Sequence, residues 1–242
     1  MDQTTITILV CIVAIILFIS FGIFITNTAP KDFFEIYTEY RDEEIDKYYS
    51  VKDFVNRLHK DDILSPVTVA QANKTLEDSF SCATNTVYLS YETYNGSSVA
   101  DFAVMAHEYG HAQQNLSGST LYKNTLFMRS FCRILGVSYI FFILIGVILF
   151  FALENLPFIG IIVASIGVLL MLCIVVCSLL VTLVEFDASK RAIKLLKEYD
   201  VLNKQELKMA KHLLNKAGNT YLANFFSTIL AWLPLCPKPK LI

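Results

Sequence analysis

The charged residues of this chain are segregated, and that segregation limits the possible folds more than any other feature. No Asp, Glu, Lys or Arg occurs from Gln3 to Pro30, from Ile134 to Leu153, from Asn155 to Val184 or from Ala217 to Pro237. The hydrocarbon core of a bilayer, about 30 Å thick, needs about 20 apolar residues of helix. Thr5–Thr26, Ile134–Leu153 and Phe158–Val184 meet that length and are expected to span. Buried helices of soluble proteins rarely run so long without charge. The fourth stretch is weaker, because its apolar part, Tyr221–Cys236, is short and holds Asn224, Ser227, Thr228 and Pro234. It can span, re-enter, or lie in the interface, where Trp232 would fit. The first stretch reads as an anchor rather than a cleaved signal. Asp2 stands where a basic residue belongs, the apolar run is long, and no small-x-small site follows.

Only 17% of the 242 residues are charged and the net charge is -2. A soluble domain usually carries about 25%. This excludes a disordered chain and a nucleic-acid binder. The six cysteines include no C-x-x-C pair, so neither a disulfide framework nor a thiolate zinc site is indicated.

Five regions follow: a membrane anchor (1–30), a polar region (31–131), a helical hairpin in the membrane (132–184), a second polar region (185–220) and an apolar C-terminal segment (221–242). In the first polar region Lys31–Tyr49 reads as helix. Ser50-x-x-Asp53 resembles a capping box opening a helix to about Lys60, which Pro66 breaks. Val67–Ala70 and Thr86–Tyr91 are short β-rich runs. Asn95–Ser98 is a turn, and Ser98-x-x-Asp101 caps a helix from Val99 to about Gln114, ended by Ser117-Gly118. In the second, the third apolar helix continues through Lys190, Arg191, Lys194 and Lys197. A break at Asp200–Asn203 follows, and Asn203-x-x-Glu206 caps a last helix from about Lys204.

The Val99 helix carries His107-Glu108-Tyr109-Gly110-His111. Histidines at i and i+4 share one face about a turn apart, so both imidazoles can reach one zinc ion. Glu108 projects beside them, where it can hold a metal-bound water and take its proton. A catalytic zinc usually has a third protein ligand. Glu185 is the candidate, the first charge after a 30-residue uncharged run. Spacing alone also allows an ordinary helix-end carboxylate at the membrane surface. If the segments at 134–153 and 158–184 both span, the chain crosses twice between His111 and Glu185. Both then emerge on one side, and the tight Glu154–Pro157 connection suits a helical hairpin.

These stretches together resemble the YugP-like membrane zinc metallopeptidases. The matching residues are Tyr94–Ala100, His107–Ala112 and Val184–Ala192, with Asn219–Ala223 a weaker match. Order and spacing agree over most of the chain. The family is a zincin with two His and one Glu as ligands. The resemblance therefore implies His107, His111 and Glu185 as ligands of one Zn²⁺ per chain, with Glu108 as catalytic acid and base. It implies a mainly α, α+β, multi-pass membrane zincin with three to four transmembrane helices and a small sheet before the motif helix. Around Leu76–Ser81 the family is usually richer in His and Asp, and only Asp78 matches. The HtpX-type membrane proteases are more distantly similar. Their glutamate motif commonly ends in Ala-Asp, where this chain has Ala188-Ser189. The carboxylate that would orient a histidine is not at that position. Asp187 either substitutes or is a solvated helix charge.

The expected reaction is peptide-bond hydrolysis, with a protein or peptide substrate, membrane-associated or not. A second oxyanion donor is usual. Tyr221 is a candidate from the resemblance and His212 from its chemistry, although His212 reads equally as a surface or core histidine. Thr86, Val87, Tyr88, Leu89, Ser90 and Tyr91 form either an edge strand that pairs with an extended substrate or an internal strand. Of 20 Lys and Arg, 18 lie in or beside the two polar regions, and none in the N-terminal tail or at the hairpin tip. The positive-inside rule then puts the metal site on the cytoplasmic face. The competing readings are a structural or inactive metal-binding membrane scaffold, a site-2-type protease and a transporter. The site-2 type carries its motif inside an apolar segment. A transporter needs ionisable residues within its spans, and the long apolar segments here have none.

Overall fold

The computed structural model describes residues 2–45, 47, 50–61, 66–72, 78–136 and 138–230. Their order is α1 (Gln3–Arg41), α2 (Val51–Lys60), β1 (Thr68–Gln71), β2 (Ser79–Ser81), β3 (Thr86–Leu89), α3 (Tyr91–Asn95), α4 (Val99–Leu116), α5 (Thr120–Leu135), α6 (Ser138–Ala152), α7 (Pro157–Glu198) and α8 (Lys204–Leu230). The chain is mainly helical with one small sheet.

The long helices do not stop where the charge pattern changes. α1 runs through Pro30 into the charged residues up to Arg41, so the anchor and the first polar helix are one element. Likewise α7 carries its apolar stretch directly into Lys190–Lys197 over 42 residues, about 63 Å at 1.5 Å per residue. Two helices, α1 and α7, are long and apolar enough to cross a membrane. The stretch Ile134–Leu153, expected to span, is divided: α5 ends against Gly136, α6 starts at Ser138, and the two meet at a bend of 52°. Together they are long and apolar enough for one broken crossing. α6 alone has 15 residues, about 22 Å, short of a bilayer core. In the fourth stretch Tyr221–Leu230 completes α8, while Trp232 and the rest lie outside the described residues.

α6 and α7 form the hairpin through glycines. A Cβ added at Gly146 would lie 2.4 Å from the Ala164 nitrogen, and one at Gly160 would lie 2.4 Å from the Phe150 nitrogen. Close backbone approach is how helices associate where no hydrophobic effect separates them from solvent. α1 lies along α8, with Phe18 and Phe21 against the Phe226 ring and Lys216 paired to Asp32 at 2.9 Å.

The polar part has its own core. Phe54 and Leu58 of α2, Phe102 and Met105 of α4, Leu195 and Leu196 of α7, and Leu213 of α8 are all buried in one cluster. The caps follow the sequence. Ser98 Oγ accepts from the Asp101 amide at 3.2 Å while Asp101 Oδ2 accepts from the Ser98 amide at 3.1 Å. Asn203 and Glu206 exchange bonds in the same way at the start of α8.

The sheet order is β1-β3-β2, with β1 parallel and β2 antiparallel to β3. This corrects one reading. Thr86, Val87, Tyr88 and Leu89 form the central strand, with β1 along all four and β2 along Thr86, Val87 and Tyr88, so the strand is not an edge open to a substrate. Ser90 and Tyr91 leave the strand: the Ser90 hydroxyl caps α3 by accepting from the Thr93 amide at 3.2 Å. The unforeseen strand is β2, in the stretch where only Asp78 matched the family.

Candidate metal centre

α4 presents His107 and His111 one turn apart towards α7. Between them sits Gly110, and a Cβ there would lie 2.5 Å from the Ala188 carbonyl oxygen. Only glycine lets the α4 backbone rest on α7 at this point. That contact brings Glu185 under the two imidazoles. His107 Nε2 lies 3.1 Å and His111 Nε2 3.4 Å from Glu185 Oε2. One ligand atom from each of the three residues falls within 4.8 Å of the others. No other group of three such residues could hold a metal among the described residues.

A second set of bonds fixes how the imidazoles point. The Gln114 amide nitrogen donates to the Val184 carbonyl and to Asp187 Oδ2, both at 2.9 Å. With its NH₂ committed, Gln114 turns its carbonyl oxygen to His111 Nδ1 at 3.0 Å. His111 then donates from Nδ1, which turns Nε2 towards Glu185. On the other imidazole, Ser189 Oγ stands 3.2 Å from His107 Nδ1. A hydroxyl therefore occupies the place where a carboxylate was missed in the sequence. Asp187 reaches His111 only through Gln114, and it is held on its other side by Arg191 at 2.8 Å. Its burial is outweighed by the bonds from Gln114 and Arg191, which keep its carboxyl below the usual range.

The electrostatics suit a cation. Burial disfavours a charged His111, but the hydrogen bond and charge of Glu185 outweigh it and raise its pKa to about 9. The protonated imidazole thus stands where a metal ion would neutralise the same carboxylate. Glu108 is shifted upward by burial, against the pull of His107 and His111.

A cavity of about 280 Å³ opens on this group. Glu108, His111, Glu185 and Tyr221 line it, together with Ser79 and Phe80 of β2 and one face of α5 at Tyr122, Thr125, Leu126 and Arg129. The Tyr122 ring stacks on His111 with centroids 6.1 Å apart, and its hydroxyl lies 3.2 Å from Cys82 Sγ. A smaller cavity of about 150 Å³ shares Glu108 and Tyr221 with the first. A further cavity, about 360 Å³, lies between α6 and α7 and is lined by no ionisable side chain.

The structure thus brings His107, Glu108, His111, Glu185 and Tyr221 together. It does not bring His212, which is exposed and pairs through Nδ1 with the Tyr40 hydroxyl at 3.0 Å, away from either cavity. His212 is therefore not placed to stabilise an oxyanion here. Gln114, Ser189 and Tyr122 were missed. For Gln114 a signal existed: it lies one turn beyond His111, on the same helix face.

Residues 8–236 match the family described as "Putative neutral zinc metallopeptidase". No curated protein and no solved structure matches the chain.

Proposed function

Because this chain belongs to that zinc metallopeptidase family, we propose that it is a membrane-bound endopeptidase holding one zinc ion on His107, His111 and Glu185. The observation that supports this most is the convergence of two imidazoles and one carboxylate from α4 and α7. Two His and a Glu with an open fourth position is a recurrent donor set for catalytic zinc. Zinc bound there supplies Lewis-acid polarisation of water and of the scissile carbonyl.

The chain's own residues do the rest. Glu108, inside the cavity, accepts the proton of the attacking water and delivers it to the leaving amine. Gln114 and Ser189 hold the imidazoles in register. Tyr221, which lines the cavity with Glu108, is the donor we assign to the developing oxyanion. The outer edge of β2, not β3, takes the extended substrate. No strand pairs with it among the described residues, and Ser79 and Phe80 face the cavity.

The membrane reading rests on parity. Glu185 follows the apolar part of α7 directly, so its meeting with α4 requires an outward path to match. α5 and α6 supply it as one broken crossing, which makes the protein multi-pass. The metal then lies at the bilayer surface, on the cytoplasmic face by the distribution of Lys and Arg. Membrane proteins or their juxtamembrane segments are the substrates this depth favours.

The test is Glu108→Gln in purified full-length protein. It keeps one zinc per chain and loses nearly all hydrolysis of casein or a membrane-protein substrate. Undiminished hydrolysis would remove Glu108 from the mechanism. Stoichiometric zinc with no turnover in the unaltered protein would make the site a structural one.

A further inference from the structure

Helix α5 walls the metal cavity with Tyr122, Thr125, Leu126 and Arg129, the i, i+3, i+4, i+7 positions of one face. Three of these are apolar or neutral. Arg129 is the only Lys or Arg that lines the cavity. Of the three carboxylates that share the cavity, Asp78 and Glu185 have other partners. Asp78 accepts from the Ser90 amide at 2.8 Å and the Thr93 hydroxyl at 3.0 Å, and Glu185 faces the two imidazoles. Among the described residues no carboxylate lies within 4.0 Å of the Arg129 guanidinium. Arg129 is also exposed, so a ligand from solvent can reach it.

Resting on the peptidase reading above, we propose that Arg129 is a specificity determinant that binds a carboxylate of the substrate peptide. A guanidinium matches a carboxylate with two parallel hydrogen bonds, which gives both strength and direction. Position fixes where that carboxylate stands. Arg129 comes seven residues after Tyr122, about 10 Å further along the axis of α5, and Tyr122 stacks on His111. An extended peptide rises about 3.3 Å per residue, so the recognised group lies about two to three residues from the scissile bond. Leu126, Phe80 and Val181 beside it favour apolar residues in between. The carboxylate is either an acidic side chain or a free C-terminus, since both offer the same planar acceptor.

The experiment uses zinc-loaded, full-length Glu108→Gln protein in detergent, so that binding is read without turnover. Two peptide pairs are titrated. One pair has an apolar sequence with a free or an amidated C-terminus. The other is amidated throughout, with Glu or Gln at the position concerned. The expected result is a preference of about tenfold or more for the carboxylate member of at least one pair, the worth of a charged hydrogen bond. Adding Arg129→Gln brings that ratio near one, Arg129→Lys leaves a partial preference, and Arg129→Glu inverts it. The pair that responds identifies the source. Ratios near one in both pairs before the arginine is changed, or ratios that survive Arg129→Gln, overturn the proposal. Equal weakening of all four peptides, with loss of binding to anionic vesicles, would make Arg129 an interfacial anchor and also overturn it. Failure of the peptidase reading shows separately, as absent Glu108-dependent hydrolysis in the unaltered protein.

Discussion

The two halves of α7 meet their neighbours by different means. From Pro157 to about Thr182 the helix exposes Ile161, Ile162, Leu169, Leu172 and Leu179 and buries only Cys177 and Thr182 besides glycines, where α6 comes within backbone reach. From Val184 to Glu198 it buries Glu185, Ala188, Ser189, Ala192, Leu195 and Leu196 against α4 and α8. Set in a bilayer as proposed, the first half would face a surrounding as apolar as itself, and only close shape would hold it. The second half excludes water, so area and satisfied polar groups hold it. The candidate metal centre sits at the join. Glu185 is the first ionisable side chain on the buried half, and its helix is positioned by both regimes.

That contrast breaks most completely at Glu185. Glu185→Ala leaves the glycine-packed half untouched and removes the carboxylate that, among the described residues, pairs with both imidazoles. Stoichiometric zinc and hydrolysis should vanish together, while the helical content measured by circular dichroism stays. Retention of one tight zinc per chain would mean that another group supplies the third ligand.

A paired substitution sharpens the comparison. Gly110→Ala and Gly160→Ala each drive a Cβ into backbone, at 2.5 Å from Ala188 and 2.4 Å from Phe150. Overpacking of this kind costs about 1–3 kcal/mol. Gly110→Ala should push α4 from α7 and weaken zinc by a large factor, read by chelator competition. Gly160→Ala should lower the melting temperature in detergent and leave zinc affinity nearly unchanged. Equal loss of zinc in both would show that the hairpin, rather than the Gly110 contact, sets the position of Glu185.

The sign of the pH effect follows from His111. Pairing with Glu185 raises its pKa to about 9, so below that pH zinc must displace a proton from it. Apparent zinc affinity should therefore fall as pH drops, by about tenfold per unit for one displaced proton. Competition titrations at pH 8 and pH 6 measure it. A flat profile would mean that His111 binds neutral throughout.

What could be read from the sequence divides along the same line. Uncharged length announced the apolar half, and the caps at Ser98 and Asn203 announced where α4 and α8 begin, because a side chain that bonds its own backbone is a local event. His107, Glu108 and His111 were legible because helical spacing puts them together without help from the rest of the chain. Glu185 needed a topological argument and the family resemblance as well. β2 was invisible: three residues, Ser79–Ser81, have no pattern of their own and become a strand only by pairing with Val87 and its neighbours. The placement of Thr86–Leu89 as central rather than edge depended on that same missing strand. His212 failed as a candidate because residue type says nothing of direction. It turns to Tyr40 on the other side of α8. The break at Gly136–Ser138 was hidden because composition does not distinguish a straight apolar helix from a bent one.

The smallest expected effects separate the two residues that steady the imidazoles. Gln114 is buried at 1% exposure and bonds three groups on two helices, so Gln114→Met keeps volume but loses every bond. Loss of such an outer partner weakens metal binding by about 10–100-fold, and this substitution belongs at the upper end. It also frees the Val184 carbonyl and Asp187, so α4 loosens from α7. Ser189 makes one longer contact, 3.2 Å to His107 Nδ1, and its neighbours Ala188 and Ala192 are already small. Ser189→Ala should therefore weaken zinc by about tenfold or less, with no change in melting temperature of the metal-free protein. Zinc competition on the two variants orders them directly. If Ser189→Ala proved the more damaging, the orientation of His107, and not the brace from Gln114 to α7, would be what holds the metal.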